Sequence, residues 1–255
     1  MRWNGLGGTS AGSGVGYPVG VTEELCATDA YVRSCEATVE QVTDGGVVLD
    51  RTVFYARSGG QPGDTGVLRW DGGETRVVDT VKEGGSPLHQ IEGDPLPVGA
   101  AVTAEIDWGR RHTLMRTHTA LHALSAVVFR DYHARVTGGN MEPGVARMDF
   151  ELETIDAEFG REVEDKLNAE LAADRPVHVS FLPRTEALAD PDLIRTKANL
   201  IPDSVDPIRV IDIEGLDKQA DGGTHVRSTA EVGRVRVAKT ENKGKAFKRM
   251  RIELV

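Results

Sequence analysis

Two pairs of potential metal ligands, far apart in the chain, place the strongest constraint on how it can fold. One pair is His118 and His122, four residues apart, and residues at that spacing lie on one face of an α-helix, about one turn apart. The other pair is Asp221 and His225, on either side of two glycines. A fold that brings the pairs together would surround one metal ion with four side chains, and this donor set favours zinc.

Each pair taken alone has an ordinary explanation. Two histidines at this spacing occur as partly exposed helical residues, and an Asp-Gly-Gly sequence is most often a turn. Metallopeptidases use the same His spacing but place a general-base Glu directly after the first His. This chain has Thr119 at that position. The two pairs together therefore predict a metal site, but not one of that peptidase class.

Length, hydropathy and charge limit the class of protein. A chain of 255 residues can form one large domain or two small ones. It has neither an apolar run of transmembrane length nor a secretory signal, so we expect a cytoplasmic protein with no membrane partner. Cys26 and Cys35 are predicted to be ordinary thiols. The net charge of −10 argues against nucleic-acid binding over the whole surface.

A basic segment near the C-terminus stands out from this acidic background. It runs from Lys239 to Arg251 and contains a single acid, Glu241. An acidic protein with one basic segment is typical of a chain that meets a polyanion at one place, whereas composition alone slightly favours a solvated, charged hairpin. The residues predicted to contact RNA are Lys239, Lys243, Lys245, Lys248 and Arg249.

The pattern of apolar residues predicts an α+β fold. Helices are expected from Asp107, as a cap, to about Tyr132 and from Ile155 to Asp174, which Pro176 follows. Short β-branched runs between Gly and Asp turns predict strands. The expected strands are 37–40, 46–49, 52–55, 66–69, 75–78, 101–106, 177–181 and 208–213, with two or three more between 224 and 254 and a turn at 243–245.

These elements divide the chain into three predicted parts. Residues 1–20 are expected to be a disordered leader because they are rich in Gly, Ser and Val without periodicity. Residues 21–106 are expected to form a small, glycine-rich, β-barrel-like domain. Residues 107–255 are expected to form an α/β domain in which the long helix that bears His118 and His122 packs on an antiparallel sheet.

Four stretches form a set that resembles one known family. They are Phe54–Gly66 (FYARSGGQPGDTG), Arg116–His122 (RTHTALH), Val136–Met141 with Ala146–Phe150, and Gln219–Val226 (QADGGTHV), which Thr229–Gly233 and Lys239–Gly244 continue. From about Thr22 to the C-terminus, this set is similar to the freestanding alanyl-tRNA editing proteins, the AlaX group, which are related to the editing domain of alanyl-tRNA synthetase. The chain departs from the family pattern at Ser58, where a third Gly is usual, and at Asp221, where Cys is usual.

The resemblance implies a zinc-dependent hydrolase, with residues 107–255 as its zinc-binding editing domain. It would deacylate tRNA for alanine that carries Ser or Gly, acting in trans through a zinc-bound water. One zinc per chain would be held by His118, His122, Asp221 and His225. Thr137 would read the seryl hydroxyl, with its role as an ordinary strand residue as the alternative, and Gln219 and Thr119 are further predicted substrate contacts.

Several alternatives remain at this point. Asp221 is either the fourth zinc ligand, which its position favours, or a general base beside three histidine ligands. The chain could instead be a zinc-independent deacylase, a non-catalytic tRNA-binding module with a decayed metal site, or a zinc hydrolase of a small ester or amide. Monomer and homodimer are both compatible with the sequence.

Overall fold

A computed structural model of the protein describes residues 21–93, 96–153, 156–190, 193–194, 201–244 and 247–255. The predicted leader, residues 1–20, lies outside the described residues. The described chain is α+β, as predicted, with a closed barrel, three further small sheets and α-helices. None of the helices within these ranges combines the length and apolar character needed to cross a membrane.

A closed six-stranded barrel forms the first part of the described chain. In chain order, the strands of this part are β1 (Glu23–Glu24), β2 (Ser34–Thr43), β3 (Gly46–Leu49), β4 (Arg51–Thr52), β5 (Gly66–Trp70), β6 (Gly73–Glu83), β7 (Ser86–Ile91) and β8 (Ala101–Ile106). The barrel closes in the order β2, β3, β7, β6, β5 and β8, while β1 pairs in parallel with β4. Val102, Ala104 and Ile106 of β8 are buried, as the two-residue period of a strand requires.

Two of the strand predictions for the barrel differ from the structure. The strand expected at 52–55 ends at Thr52, because the backbone N–H of Tyr55 donates to the carboxylate of Asp64 (2.7 Å) and not to a neighbouring strand. β7 was not predicted, although it pairs with both β3 and β6 and is needed to close the barrel.

A long buried helix follows the barrel directly. This helix, α1 (Trp108–Tyr132), begins after Asp107, whose side chain accepts a hydrogen bond from the backbone N–H of Arg110 (3.1 Å), and it ends at the predicted residue. It is buried along most of its length, with Leu114, Leu121 and Leu124 in the core. The second predicted helix is α2 (Ala157–Ala172), and a third short helix, α3 (Arg184–Ala189), was not predicted.

Two antiparallel sheets complete the part of the chain after the barrel. Their strands are β9 (Val136–Glu142), β10 (Val145–Phe150), β11 (Val177–Leu182), β12 (Ile208–Ile213), β13 (Asp217–Ala220), β14 (Val235–Asn242) and β15 (Lys248–Leu254). One sheet has the order β14-β15-β10-β9 and the other has the order β11-β12-β13. α1 packs against α2, β9, β10 and β13, so both sheets have elements in contact with the helix that carries the two histidines.

A buried ion pair fixes α1 to the barrel. Arg111 is fully buried, and its Nε lies 2.9 and 3.1 Å from the two carboxylate oxygens of Asp64. Its remaining nitrogens donate to the backbone oxygens of Val53 (2.7 Å) and Ala30 (2.9 Å). Since every part of this guanidinium has a partner, the desolvation of the charge is offset, and the position of the helix relative to the barrel is specified.

Candidate metal centre

The middle of α1 supplies the first two side chains of the site. His118 and His122 are both buried, and their ring centroids lie 5.1 Å apart on the same face of the helix. This is the arrangement that their spacing in the sequence predicts.

The loop after β13 supplies the other two side chains, Asp221 and His225. Arg209, on the neighbouring strand β12, holds this loop in place: its Nη1 donates to the backbone oxygens of Asp221 (2.9 Å) and Gly223 (2.8 Å). Gly223 lies so close to the ring of His118 that a side chain there would collide with it. The loop can therefore approach α1 closely enough for the two pairs of side chains to meet.

The four side chains converge on one point. One potential ligand atom from each of His118, His122, Asp221 and His225 lies within 4.8 Å of all the others. The Nε2 atoms of His118 and His122 lie 3.6 and 4.0 Å from Oδ1 of Asp221, and Nε2 of His225 lies 3.1 Å from its Oδ2. The carboxylate is thus the common neighbour of three imidazole nitrogens.

The other ring nitrogen of each histidine has a partner outside this cluster. Nδ1 of His118 lies 3.0 Å from Oε1 of Gln61, Nδ1 of His122 lies 2.9 Å from Oδ2 of Asp217, and Nδ1 of His225 lies 3.1 Å from Oγ1 of Thr119. Partners of this kind orient the rings of metal-binding histidines and select the tautomer that presents a lone pair to the metal.

The protonation states of the cluster suit a cation. Burial lowers the pKa of His118 to about 4, and burial followed by the charge of His118 lowers the pKa of His225 well below its usual value. Burial opposes ionisation of Asp221, yet the facing imidazoles, His118 first, hold the pKa of this carboxyl well below its usual value. At neutral pH these groups are two neutral imidazoles and one carboxylate, which are the forms that bind metal ions. The residues present therefore fit a bound divalent metal.

A cavity of about 640 Å³ opens beside the cluster, within the range of small-molecule sites. Residues of α1, of β9 and of the segment 219–221 supply most of its lining. Gly59 and Gly60, from the glycine-rich loop of the barrel, also line it, and the backbone oxygen of Gly60 accepts a bond from the N–H of Met141 (3.2 Å). The barrel therefore contributes to the cavity wall.

The structure places the three predicted substrate contacts differently. Thr137 and Gln219 both line the cavity, and the side-chain amide of Gln219 also donates to Asp217 (2.8 Å). Thr119 is fully buried, contacts Nδ1 of His225 and accepts a bond from the backbone N–H of Val226 (3.3 Å). The expectation for Thr119 is therefore corrected: its hydroxyl supports a histidine, because it faces the loop and not the cavity.

Four of the five predicted RNA-contacting residues lie in the described part of the hairpin of β14 and β15, and three of these four have carboxylate partners. Lys239 and Lys243 are exposed and lie 3.0 and 3.4 Å from the carboxylate of Glu241. Arg249 forms a two-pronged ion pair with Asp149 (2.6 and 2.7 Å). Arg147 also lies near this carboxylate.

Two of the predicted lysines have a different outcome. The expectation for Lys248 is corrected, because this side chain is only 2% exposed. Its Nζ donates to Oδ1 of Asn242 (3.1 Å) and to the backbone oxygen of Gly244 (2.8 Å). The ammonium group is therefore hydrogen-bonded within the hairpin. Lys245 lies outside the described residues.

Sequence reasoning did not find the residues that support the ligands. Gln61 lies within the glycine-rich segment Phe54–Gly66, but nothing in the sequence of that segment indicates that its amide faces His118. Asp217 and Arg209 lie on strands in ordinary apolar and charged patterns. Only the tertiary fold brings these three side chains to the site.

Comparison with known proteins agrees with this architecture. A family model described as class II (A) tRNA synthetases matches residues 21–110, and one described as the second additional domain of threonyl and alanyl tRNA synthetases matches residues 208–251. The AlaX-M alanyl-tRNA editing protein of Methanosarcina barkeri is 40% identical over 242 residues, which are 92% of this chain and 100% of that protein.

Two further relatives lead to the same family. The AlaX-M protein of Saccharolobus solfataricus is 39% identical over 233 residues, with 90% of this chain and 98% of that protein covered. An alanine–tRNA ligase of Pyrobaculum neutrophilum is 40% identical over 86% of this chain but is matched over only 25% of its own length. With whole-length similarity to the AlaX-M proteins, this chain belongs to the family of alanyl-tRNA editing proteins.

Proposed function

We propose that this protein hydrolyses the ester bond of tRNA for alanine that carries Ser or Gly, acting in trans with a zinc ion bound by His118, His122, Asp221 and His225. As an alanyl-tRNA editing protein, the chain is an aminoacyl-tRNA deacylase. The observation that carries the specific proposal is the convergence of these four side chains at the wall of a cavity that Thr137 also lines.

Zinc is the metal that this donor set suits best. Three imidazoles and one carboxylate are typical zinc donors, whereas Ca²⁺ and Mg²⁺ sites are built from oxygen ligands. When bound, zinc lowers the pKa of a bound water to about 7 and polarises a carbonyl group. An aminoacyl ester is an activated bond, so a polarised water is sufficient for its hydrolysis without a nucleophilic side chain.

The protein's own residues would bind and orient the substrate. The aminoacyl group would enter the cavity that His118, His122 and β9 line, with its ester beside the cluster. Thr137 offers a hydroxyl that can pair with the hydroxyl of a seryl group. A site built to bond a hydroxyl discriminates strongly against a substrate that lacks it, as alanine does.

Deacylation assays test this function directly. Ser-, Gly- and Ala-charged tRNA for alanine would each be incubated with the protein, with and without a chelator. We expect rapid loss of the seryl or glycyl ester, little loss of the alanyl ester, and no activity after chelation. Equal rates on Ala-tRNA and Ser-tRNA would overturn the substrate assignment, and full activity after complete removal of metal would support a zinc-independent deacylase.

Replacing Thr137 with Val is expected to lower the rate on Ser-tRNA by about 10-fold or more and the rate on Gly-tRNA much less. The reason is that only serine has a side-chain hydroxyl to lose a partner, and such a loss costs about 1–3 kcal/mol. The matched control is Thr103→Val, the same change on the barrel strand β8, where Thr103 contacts Glu36. An equal loss on both substrates would mean that Thr137 only shapes the strand.

Removing two cations from the C-terminal hairpin is expected to weaken tRNA binding. The double variant Lys239→Gln/Lys243→Gln should reduce the slope of log affinity against log salt by about one to two, because each lost phosphate contact changes the slope by about 0.7–0.9. Salt-dependent binding of uncharged tRNA measures this. Lys82→Gln on the barrel, where Lys82 pairs with Glu24, is the control. An unchanged slope would leave the hairpin as a solvated, ion-paired surface.

A further inference from the structure

Gln61 reaches from the barrel to the metal cluster. It lies in the glycine-rich loop between β4 and β5, yet its side chain is fully buried. Its Oε1 lies 3.0 Å from Nδ1 of His118 and 3.0 Å from the backbone N of Thr224, and its Nε2 lies 2.9 Å from Oγ1 of Thr224. One amide therefore contacts both segments that supply the candidate ligands.

The contacts with Thr224 determine the orientation of this amide. A backbone N–H can only donate, so the Gln61 atom that faces the N–H of Thr224 must be the oxygen. Nε2 then donates to the hydroxyl of Thr224, which can accept. Since Oε1 is an acceptor, Nδ1 of His118 must carry the proton that they share. Its Nε2 is left with the lone pair, on the side where Asp221 lies.

We propose that Gln61 is a positioning residue that fixes His118 in its metal-binding tautomer and ring orientation, so that the barrel forms part of the metal centre. This inference rests on the proposed metal site at His118, His122, Asp221 and His225. Gln61 is placed to act through His118, by accepting its Nδ1 proton and by holding the 221–225 loop through Thr224. Loss of a partner of this kind lowers metal affinity by about 10- to 100-fold.

The test compares two variants of Gln61 by their metal affinity. Gln61→Met keeps the approximate size but removes the acceptor, whereas Gln61→Glu keeps an acceptor, and the hydroxyl of Thr224 can rotate to donate to it. Zinc affinity would be measured by competition with a chromophoric chelator, and the ligand field by the visible spectrum of the Co²⁺ form. We expect the Met variant to bind about 10- to 100-fold more weakly with an altered Co²⁺ spectrum, and the Glu variant to bind within a few-fold of wild type.

A matched control separates positioning from stability. Thr80 is also fully buried, and its hydroxyl bonds the backbone oxygen of Asp64 (3.0 Å) in the same loop. Thr80→Val is therefore expected to lower the melting temperature of the metal-free protein without changing zinc affinity. Wild-type affinity in Gln61→Met would overturn the proposal, as would an equal loss of affinity in Thr80→Val.

A measurement on the wild-type protein avoids dependence on variants that fail to fold. Long-range ¹H–¹⁵N NMR of the zinc form should show the His118 proton on Nδ1 with a hydrogen-bonded shift. A proton on Nε2 would overturn the inference. If wild-type protein binds neither zinc nor Co²⁺, the proposed metal site itself fails, whereas wild-type binding with an unaffected Gln61→Met variant refutes only the role of Gln61.

Discussion

Asp221→Ala is expected to reduce zinc affinity by about 100-fold or more, which corresponds to about 2.7 kcal/mol or more of binding free energy, and to abolish deacylation. The carboxylate lies within 4.0 Å of one nitrogen from each of the three histidines. It is ionised at neutral pH because the facing imidazoles lower its pKa despite burial. Without it, a dication would be surrounded only by neutral donors.

Two further changes at this position identify what the carboxylate does. Asp221→Asn keeps the size of the side chain and an oxygen that can accept from the N–H of Gly223, a bond of 2.6 Å in the native loop, but it removes the charge. Asp221→Cys supplies a thiolate, which binds zinc with the same charge as a carboxylate. We expect the Asn variant to lose most of the affinity and the Cys variant to retain it.

The competing role for Asp221 predicts a different result. If Asp221 is a general base beside a zinc ion held by three histidines, Asp221→Ala would keep full zinc occupancy and lose only turnover. Parallel measurement of zinc content, zinc affinity and the rate on Ser-tRNA separates the two roles. Thr103→Val on the barrel surface would serve as a control, because a loss of zinc affinity in that variant would come from the preparation of the metal-free protein.

The two candidate metal ligands on the helix could be predicted from local sequence. The residues that hydrogen-bond to the ligands could not. His118 and His122 are related by the helix repeat, and Asp107 marks where that helix starts, so both features are visible within a short stretch. The Asp221–His225 segment was identified by its glycine pair and its ligand types. Gln61, in contrast, acts across 57 residues of sequence through a side chain that the loop directs into the interior.

The same distinction applies to the basic hairpin. Composition shows the cations from Lys239 to Arg251 but not their partners across strands. The register pairs Asp149 with Arg249 and Glu241 with Arg249, so carboxylates lie within reach of the cations. Composition does not distinguish Lys248 from the surface charges, although this side chain is buried and its ammonium group donates to Asn242 and Gly244. Ion pairs formed in the folded sheet decide which of these cations are available to a ligand, and composition gives no information about such pairs.

Gly223→Ala is expected to disrupt the metal centre, whereas Gly222→Ala is expected to leave it intact. A Cβ at residue 223 would lie 2.3 Å from Cε1 and 2.4 Å from Nδ1 of His118, and 2.8 Å from Oε1 of Gln61. These distances are far inside van der Waals contact, so the loop and α1 would have to separate. A Cβ at residue 222 meets no atom within 4 Å.

The two glycine variants form a matched pair, because they make the same chemical change at adjacent positions of one loop. For Gly223→Ala we expect a loss of stability of about 1–3 kcal/mol, as for other overpacked sites, and a loss of zinc affinity of at least about 10-fold, as for other disturbed ligand supports. For Gly222→Ala both quantities should stay close to wild type. Chemical denaturation of the metal-free proteins and zinc competition measure them. Equal effects would mean that loop flexibility, and not the close approach of Gly223 to His118, is what the glycine pair provides.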